Sequence, residues 1–379
     1  MIPVDDQRIQ KYRTPFRYPK PVLHGSGVEG AFDEKSVDIP FVFWHNGKYY
    51  MVYSGFDGIG YQSALAQSND LLQWEFVTMF LKRDLQSERW DKNGGAVTWI
   101  IKESDNLWDR PRLKKVEGKY WLIYHSYPGN GYEEGAAEIG MAWSEDETLR
   151  EWHFLDTPVY SWKNGQAWEA GGLYKACIIE NQGKWYMFYN AKTKDEHWIE
   201  QTGMAISEDL LHWERCSENP ILKVDSGRWD QTFVSDPYVV QDEEKWICFY
   251  YGIGGIDKSD GLYHAEEGLA LSDDLIHWEK VDEPILKHGP FGAFDNHHAH
   301  KPAMVYENGI LYHFYCGTCQ ESSEFPTRLF GEYRTICVAA SKPFLNEKYI
   351  SNWELDNEKD GISKGEGYMG KRQSGRKEL

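Results

Sequence analysis

The stretch Gly203-Met204-Ala205-Ile206-Ser207-Glu208-Asp209-Leu210-Leu211-His212-Trp213-Glu214 decides the fold, because the chain repeats it. The pattern Gly-x-Ala-x-Ser followed by Asp-Leu-x-x-Trp-Glu returns from Gly268 to Glu279. An earlier copy joins Leu65-Ala66-Gln67-Ser68 to Asp70-Leu71-Leu72-Gln73-Trp74-Glu75. A degraded copy runs from Gly140 through Ser144 to Glu151-Trp152, and the last keeps only Val338-Ala339-Ala340-Ser341. Ahead of each copy a polar turn leads into an aromatic or apolar strand, as in Gly47-Lys48-Tyr49-Tyr50-Met51, Gly118-Lys119-Tyr120-Trp121-Leu122, Gly183-Lys184-Trp185-Tyr186-Met187, Lys245-Trp246 and Asn308-Gly309-Ile310-Leu311-Tyr312. The Gly-Lys pairs are hairpin turns.

Self-similarity at this spacing marks a repeat architecture. Each unit holds about four short strands separated by turn residues. One such sheet leaves both faces uncovered, and radial packing of five covers them. The sequence therefore predicts an all-β, five-bladed β-propeller over residues 1–345, with the segment before Asp38 supplying a strand to the last blade. The repeated Trp of Leu-x-x-Trp-Glu is expected between neighbouring blades. From 346 to 379 Lys, Glu, Asn, Gly and Ser dominate, which predicts a polar tail with no catalytic part.

Composition narrows the function. Aromatic residues make up 15% of the 379, with 17 Trp and 24 Tyr, too many for a disordered or coiled-coil chain. A formal net charge of −19 repels nucleic acid, anionic membrane and polyanionic substrates, and so favours a neutral one. Nowhere is there a run of the roughly 18 apolar residues a membrane helix needs. Met1 to Lys20 carries Asp5, Asp6, Arg8, Lys11, Arg13, Arg17 and Lys20 and has no apolar core, so it does not read as a secretory signal. Cys177, Cys248 and Cys337 sit singly in apolar runs, as free thiols of a reducing compartment do. The expectation is a cytoplasmic protein. Cys316 and Cys319 lack the second pair that a zinc site needs and read as strand-end thiols.

The heads of the repeats are where the copies differ. They carry Asp38, Asp109, Glu169 and Asp236, and in the fifth unit His300, close to His297 and His298. If the first strand of each unit is innermost, these groups converge on one axis, where like charges and desolvation divide acids from bases. Gathering uncompensated carboxylates is costly, which points to function rather than stability. One carboxylic acid and one carboxylate are what glycosidic bond hydrolysis requires. Trp108 and Trp168 beside these acids are candidate sugar-stacking walls, and Arg112, His298 and Lys301 are candidate substrate-binding groups. Three His within His297-His298-Ala299-His300 invite a metal reading, but in a strand His298 and His300 share one face while His297 points to the other. A zinc-type centre is not expected.

These residues resemble the five-bladed propeller glycosidases, the group that includes glycoside hydrolase families 43, 117, 32 and 130, with family 43 the favoured likeness. The resemblance spans Asp38 to Ser341. Its carriers are Asp38-Ile39-Pro40, Ser235-Asp236-Pro237, the Gly-Lys-Tyr/Trp-Tyr-Met strands and the Ala-x-Ser-x-Asp-Leu-x-x-Trp unit ends. It implies a glycosidase acting on an oligosaccharide or glycoside, exo-acting and inverting, with Asp38 as base or nucleophile. By likeness to family 32, Asp109 stabilises the transition state and Glu169 is the acid. By likeness to family 43, the acid lies in the fourth unit, at Asp236. It further implies no required cofactor, but a calcium ion on the axis held through water near His300. The rival readings are a family 130-like phosphorylase and a non-catalytic sugar-binding propeller.

Overall fold

The computed structural model describes residues 1–257, 260–320 and 331–344, and within them the chain is all-β apart from three single-turn 3-10 segments. The predicted tail at 346–379 lies outside the described residues. Two short strands, β1 (Phe16–Arg17) and β2 (Leu23–His24), come first. The first repeat is the sheet β3 (Ser36–His45), β4 (Lys48–Phe56), β5 (Tyr61–Ser68) and β6 (Glu75–Leu81). The second comprises β7 (Ala96–Ile100), β8 (Lys115–Val116), β9 (Lys119–Ser126), β10 (Glu138–Ser144) and β11 (His153–Phe154). The third is β12 (Gly172–Asn181), β13 (Lys184–Lys192), β14 (Glu200–Ser207) and β15 (Glu214–Arg215). The fourth is β16 (Phe233–Asp242), β17 (Lys245–Ile253), β18 (Ala265–Ser272) and β19 (Trp278–Lys280). The third and fourth join into one eight-stranded sheet through the single parallel pair Glu200 and Phe233. The last is β20 (His298–Glu307), β21 (Ile310–Gln320) and β22 (Glu332–Ala340), with β1 and β2 both paired to β22.

Each repeated unit is thus one antiparallel ladder. The first strands touch in cyclic order, β3 on β7, β7 on β12, β12 on β16, β16 on β20 and β20 on β3. Their side chains form a shared centre: Phe41 lies 4.8 Å from Trp99, Trp99 lies 4.9 Å from Tyr238, and the Tyr238 hydroxyl donates to the carbonyl of Met304.

The repeated motif has a structural reason. The Asp209 carboxylate accepts the backbone N–H groups of Leu211 and His212, Leu210 takes φ +68°, and the Trp213 indole donates to the Leu210 carbonyl. Asp70-Leu71 with Trp74 and Asp274-Leu275 with Trp278 repeat this turn. Trp74 meets Phe314 edge-on and Trp278 meets Phe188, each on a different ladder, as the sequence predicts. The motif's glycine is also explained: a Cβ on Gly203 would stand 2.5 Å from Tyr189 and 2.7 Å from Trp168.

Candidate active site

The first strands are irregular near their starts. The pairing register slips between Asp38 and Phe41, Val97 and Trp99, Tyr174 and Cys177, Ser235 and Tyr238, and His300 and Ala303. A bulge bends the strand and re-aims side chains. Four bulged residues take positive φ: Ile39 at 51°, Lys175 at 44°, Asp236 at 55° and Lys301 at 66°. Non-glycine residues held there are strained, and such strain clusters at functional sites. The register corrects the sequence alignment by one position. Asp38 stands level with Ser235 and His300, whereas Asp236 stands level with Lys175 and Lys301.

Asp38 is fully buried and accepts from the Lys301 ammonium at 2.7 Å, the Arg334 guanidinium at 3.1 Å and the Tyr61 hydroxyl at 3.3 Å. Burial alone would raise its pKa, but the charges of Lys301 and Arg334 outweigh it and hold the carboxyl far below the usual range. Asp38 is therefore an ionised carboxylate at any working pH. Asp236, 2% exposed, is in the opposite state: burial, reinforced by Glu200 and Glu133 against Lys301 and Lys175, pushes its carboxyl up to about 7. It accepts from the Asn190 amide at 3.3 Å and lies 3.2 Å from the Ser235 hydroxyl.

Glu200 of β14 completes this side. Its carboxylate accepts from Asn190 at 3.0 Å, Trp198 at 2.9 Å, Ser235 at 2.8 Å and Tyr251 at 3.2 Å. Behind Asp236, Glu267 is wholly buried with neither oxygen hydrogen-bonded, and desolvation raises its pKa well above the normal range. Lys175, buried beside Asp236, is pushed down by the same desolvation. His125 is lowered to about 3 by burial and by the charges of Lys301 and Lys175.

Five proposed partners lie elsewhere. Asp109 is exposed and accepts from the Ser104 hydroxyl. It belongs to a loop across the far ends of the first strands: Trp44 donates its N–H to Pro111, Glu180 to Asp105, Leu107 to Gln241, and Arg110 pairs with Glu307. Trp44 is six residues beyond Asp38, so this loop is roughly 20 Å from the carboxylate. Trp108 there stacks on Tyr12 and meets Tyr306 edge-on, and Arg112 is exposed. These three belong to that loop and not to the surroundings of Asp38.

Glu169 is buried in a 3-10 turn, accepting from the Tyr189 hydroxyl at 2.7 Å and paired with Arg215 at 3.0 Å, while Trp168 stacks on Tyr189. The same assembly occurs at Asp91 with Tyr124 and Arg89, at Asp230 with Tyr250 and Arg228, and at Asp295 with Tyr315 and Arg17. Glu169 is one copy of a structural brace. The signal was in the sequence, in the aromatic-acid pairs Trp90-Asp91, Trp168-Glu169, Trp229-Asp230 and Phe294-Asp295.

His300 and Lys301 do reach the site, and His298 sits at its edge, 5.9 Å ring to ring from His300. Donor atoms of Asp38, His300 and Cys316 lie within 4.8 Å of one another. They do not suit the calcium ion the resemblance implies, which takes six to eight oxygens. Here the donors are one carboxylate, one ring nitrogen and a thiol, and the carboxylate already carries two cationic side chains. His297, His298 and Glu332 form a second group. His298 Nδ1 accepts the Ala265 N–H at 2.9 Å, so in the neutral ring Nε2 holds the proton and faces Glu332 at 3.4 Å. Burial lowers this histidine to about 4, and the group reads as a hydrogen-bonded chain rather than a metal centre.

Residues 103–269 match the model of the glycosyl hydrolases family 32 N-terminal domain. The chain is 30% identical over 304 residues to the extracellular endo-α-(1→5)-L-arabinanase 2 of Bacillus subtilis (strain 168), covering 72% of this chain and 56% of that protein. It is 27% identical over 144 residues to the β-1,2-mannobiose phosphorylase of Thermoanaerobacter sp. (strain X514), covering 34% of this chain and 45% of that protein. The chain thus spans about half the length of these curated relatives. Among solved structures it is similar to a BT0996 RGII complex, with a TM-score of 0.73, 25% identity and coverage of 89% of this chain and 94% of that protein. A thermostable family-43 glycoside hydrolase shares the fold, with a TM-score of 0.57, 18% identity and coverage of 83% and 91%.

Proposed function

The chain is a relative of the propeller-type glycoside hydrolases and phosphorylases, and on that premise we propose that it is a five-bladed propeller enzyme that removes a terminal sugar from a short oligosaccharide or glycoside. The observation that carries this is the pair of axial carboxyl groups driven to opposite protonation states, Asp38 ionised and Asp236 protonated up to about pH 7. Environments that push two acids apart assign the acid and the base.

In this reading Asp236 protonates the departing glycosidic oxygen. Asp38 accepts a proton from the attacking water, and Lys301 and Arg334 keep it ionised and aimed. Glu200 fixes Asn190 and Ser235, the two groups that hold Asp236. Attack by water on the face opposite the leaving group inverts the anomeric centre. Both carboxyls are sealed from solvent, which suits a chain end better than the middle of a polymer.

A second reading, phosphorolysis, is favoured by one feature. Lys301 and Arg334 flank Asp38 where an attacking phosphate would need cations, and a matched relative is a phosphorylase. The test is a screen of aryl arabinofuranosides, xylosides, galactosides and mannosides with and without inorganic phosphate, using wild type and Asp38→Asn. Phosphate-independent turnover lost in the variant, with the inverted anomer seen first by proton NMR, supports hydrolysis. Turnover only with phosphate favours the phosphorylase, and equal inertness of both proteins while sugars still bind favours a binding propeller.

A further inference from the structure

The axial site is closed, although a sugar must touch Asp38 and Asp236, which are 0% and 2% exposed. Among the described residues, the segment 127–137 between β9 and β10 reaches the groups that hold Asp38. Its ends are fixed: Tyr127 and Ala137 are buried, and Ala137 accepts the Leu173 N–H. Between them Gly131 at φ +135°, Glu133 at +51° and Gly135 at +87° bend the chain into a tight cover. In the middle Tyr132 packs edge-on against Phe56 and Tyr61, and the backbone is held at a few points among the described residues. Gly131 donates its N–H to Ile59 at 2.7 Å, and Asn93 donates to the carbonyl of Pro128 at 2.6 Å.

Two further hydrogen bonds to the segment are made by side chains that also hold Asp38. Arg334 Nη1 donates to Tyr132 at 2.8 Å and to Asp38 at 3.1 Å. The Tyr61 hydroxyl lies 3.3 Å from Glu133 and 3.3 Å from Asp38, and a hydroxyl has one proton to give. Resting on the reading of Asp38 as the reacting carboxylate, we propose that the segment 127–137 is a lid over the axial site, latched by Tyr132 on Arg334 and Glu133 on Tyr61. Opening releases these two groups and admits the sugar. Closing returns them to Asp38, so substrate entry and alignment of the carboxylate are one motion. Glu133 is a positioning residue in this scheme: with the lid shut its carboxylate and Asp38 both face the Tyr61 hydroxyl at 3.3 Å, and opening takes Glu133 out of that pair.

Cys316 is a built-in reporter, since its thiol lies beside Asp38 under the lid, whereas Cys248 is buried in β17 away from it. The experiment is the rate of modification of each cysteine by methyl methanethiosulfonate, resolved by peptide mass spectrometry, in wild type and in the double variant Tyr132→Phe, Glu133→Ala. Loss of two latch bonds predicts a rise of roughly tenfold or more at Cys316 with Cys248 unchanged. Equal rates at Cys316 in both proteins, or a parallel rise at both cysteines, overturns the lid. Hydrogen exchange of wild type decides independently of the variant: amides of 129–135 should exchange much faster than those of β9, and equal protection contradicts the proposal. Neither readout uses turnover, so the lid stands or falls apart from the glycosidase reading.

Discussion

Asp236 and Asp38 differ by one position in the bulge, and that position decides their chemistry. Asp38 faces two cations and is ionised; Asp236 is pushed up to about 7 by burial, with Glu200 and Glu133 adding to it against Lys301 and Lys175. An acid that must be protonated to work predicts a kcat/KM profile with an alkaline limb near pH 7. Asp236→Asn should lower turnover roughly 10²- to 10⁴-fold, with the smaller loss on substrates whose leaving groups need no proton. Stability carries the same signature. The folded carboxyl holds its proton to a higher pH than the unfolded one, so its contribution is present at acid pH and is lost as pH rises from about 4 toward 7. Thermal melts across that range should show wild type losing stability relative to Asp236→Asn, and parallel curves would contradict the assignment. The sequence aligned Asp38 with Asp236, which stand one position apart because a bulge adds a residue without changing composition, and its alignment of both with Asp109 and Glu169 failed because neither of these lies on a first strand. Lys175 was missed because of such a bulge, and Glu200, Glu133 and Arg334 because they come from later strands and a loop.

At the scale of the element, the braces separate Glu169 from the carboxylates at the starts of the first strands. Glu169 serves Tyr189 and Arg215, so Glu169→Gln should lower stability by roughly 1–3 kcal/mol, read as a fall in melting temperature, while the folded fraction keeps its turnover. The aromatic sandwich of Trp168 on Tyr189 leaves no room for a methyl group at Gly203. Gly203→Ala should therefore cost about 1–3 kcal/mol by overpacking, measurable by denaturant unfolding. The Asp-Leu-x-x-Trp turn was fully legible, since its spacing is local and each residue serves its own turn. The aromatic-acid brace was present in the sequence with equal regularity. It was overlooked because Glu169 was aligned by charge with the strand openings rather than by its preceding Trp.

For the whole molecule, the cyclic contact of the first strands puts Asp38 and Asp236 at one end and the 103–112 loop at the other. The sequence predicted repeated sheets around an axis. It did not reveal which end of the axis a loop would occupy, because that depends on long-range contacts such as Arg110 with Glu307. β1 and β2 add to the edge of β22, so deleting residues 1–24 should expose an unpaired strand, lower the melting temperature and promote self-association, detectable by light scattering.

The most direct test of the axial mechanism compares turnover by Asp38→Asn, Asp236→Asn and Glu169→Gln on one aryl glycoside that wild type cleaves, each protein first shown to be folded by its melt. The axial account predicts near-complete loss in the first two and activity close to wild type in the third. Retained turnover in either axial variant, or an equal loss in Glu169→Gln while folded, would contradict it.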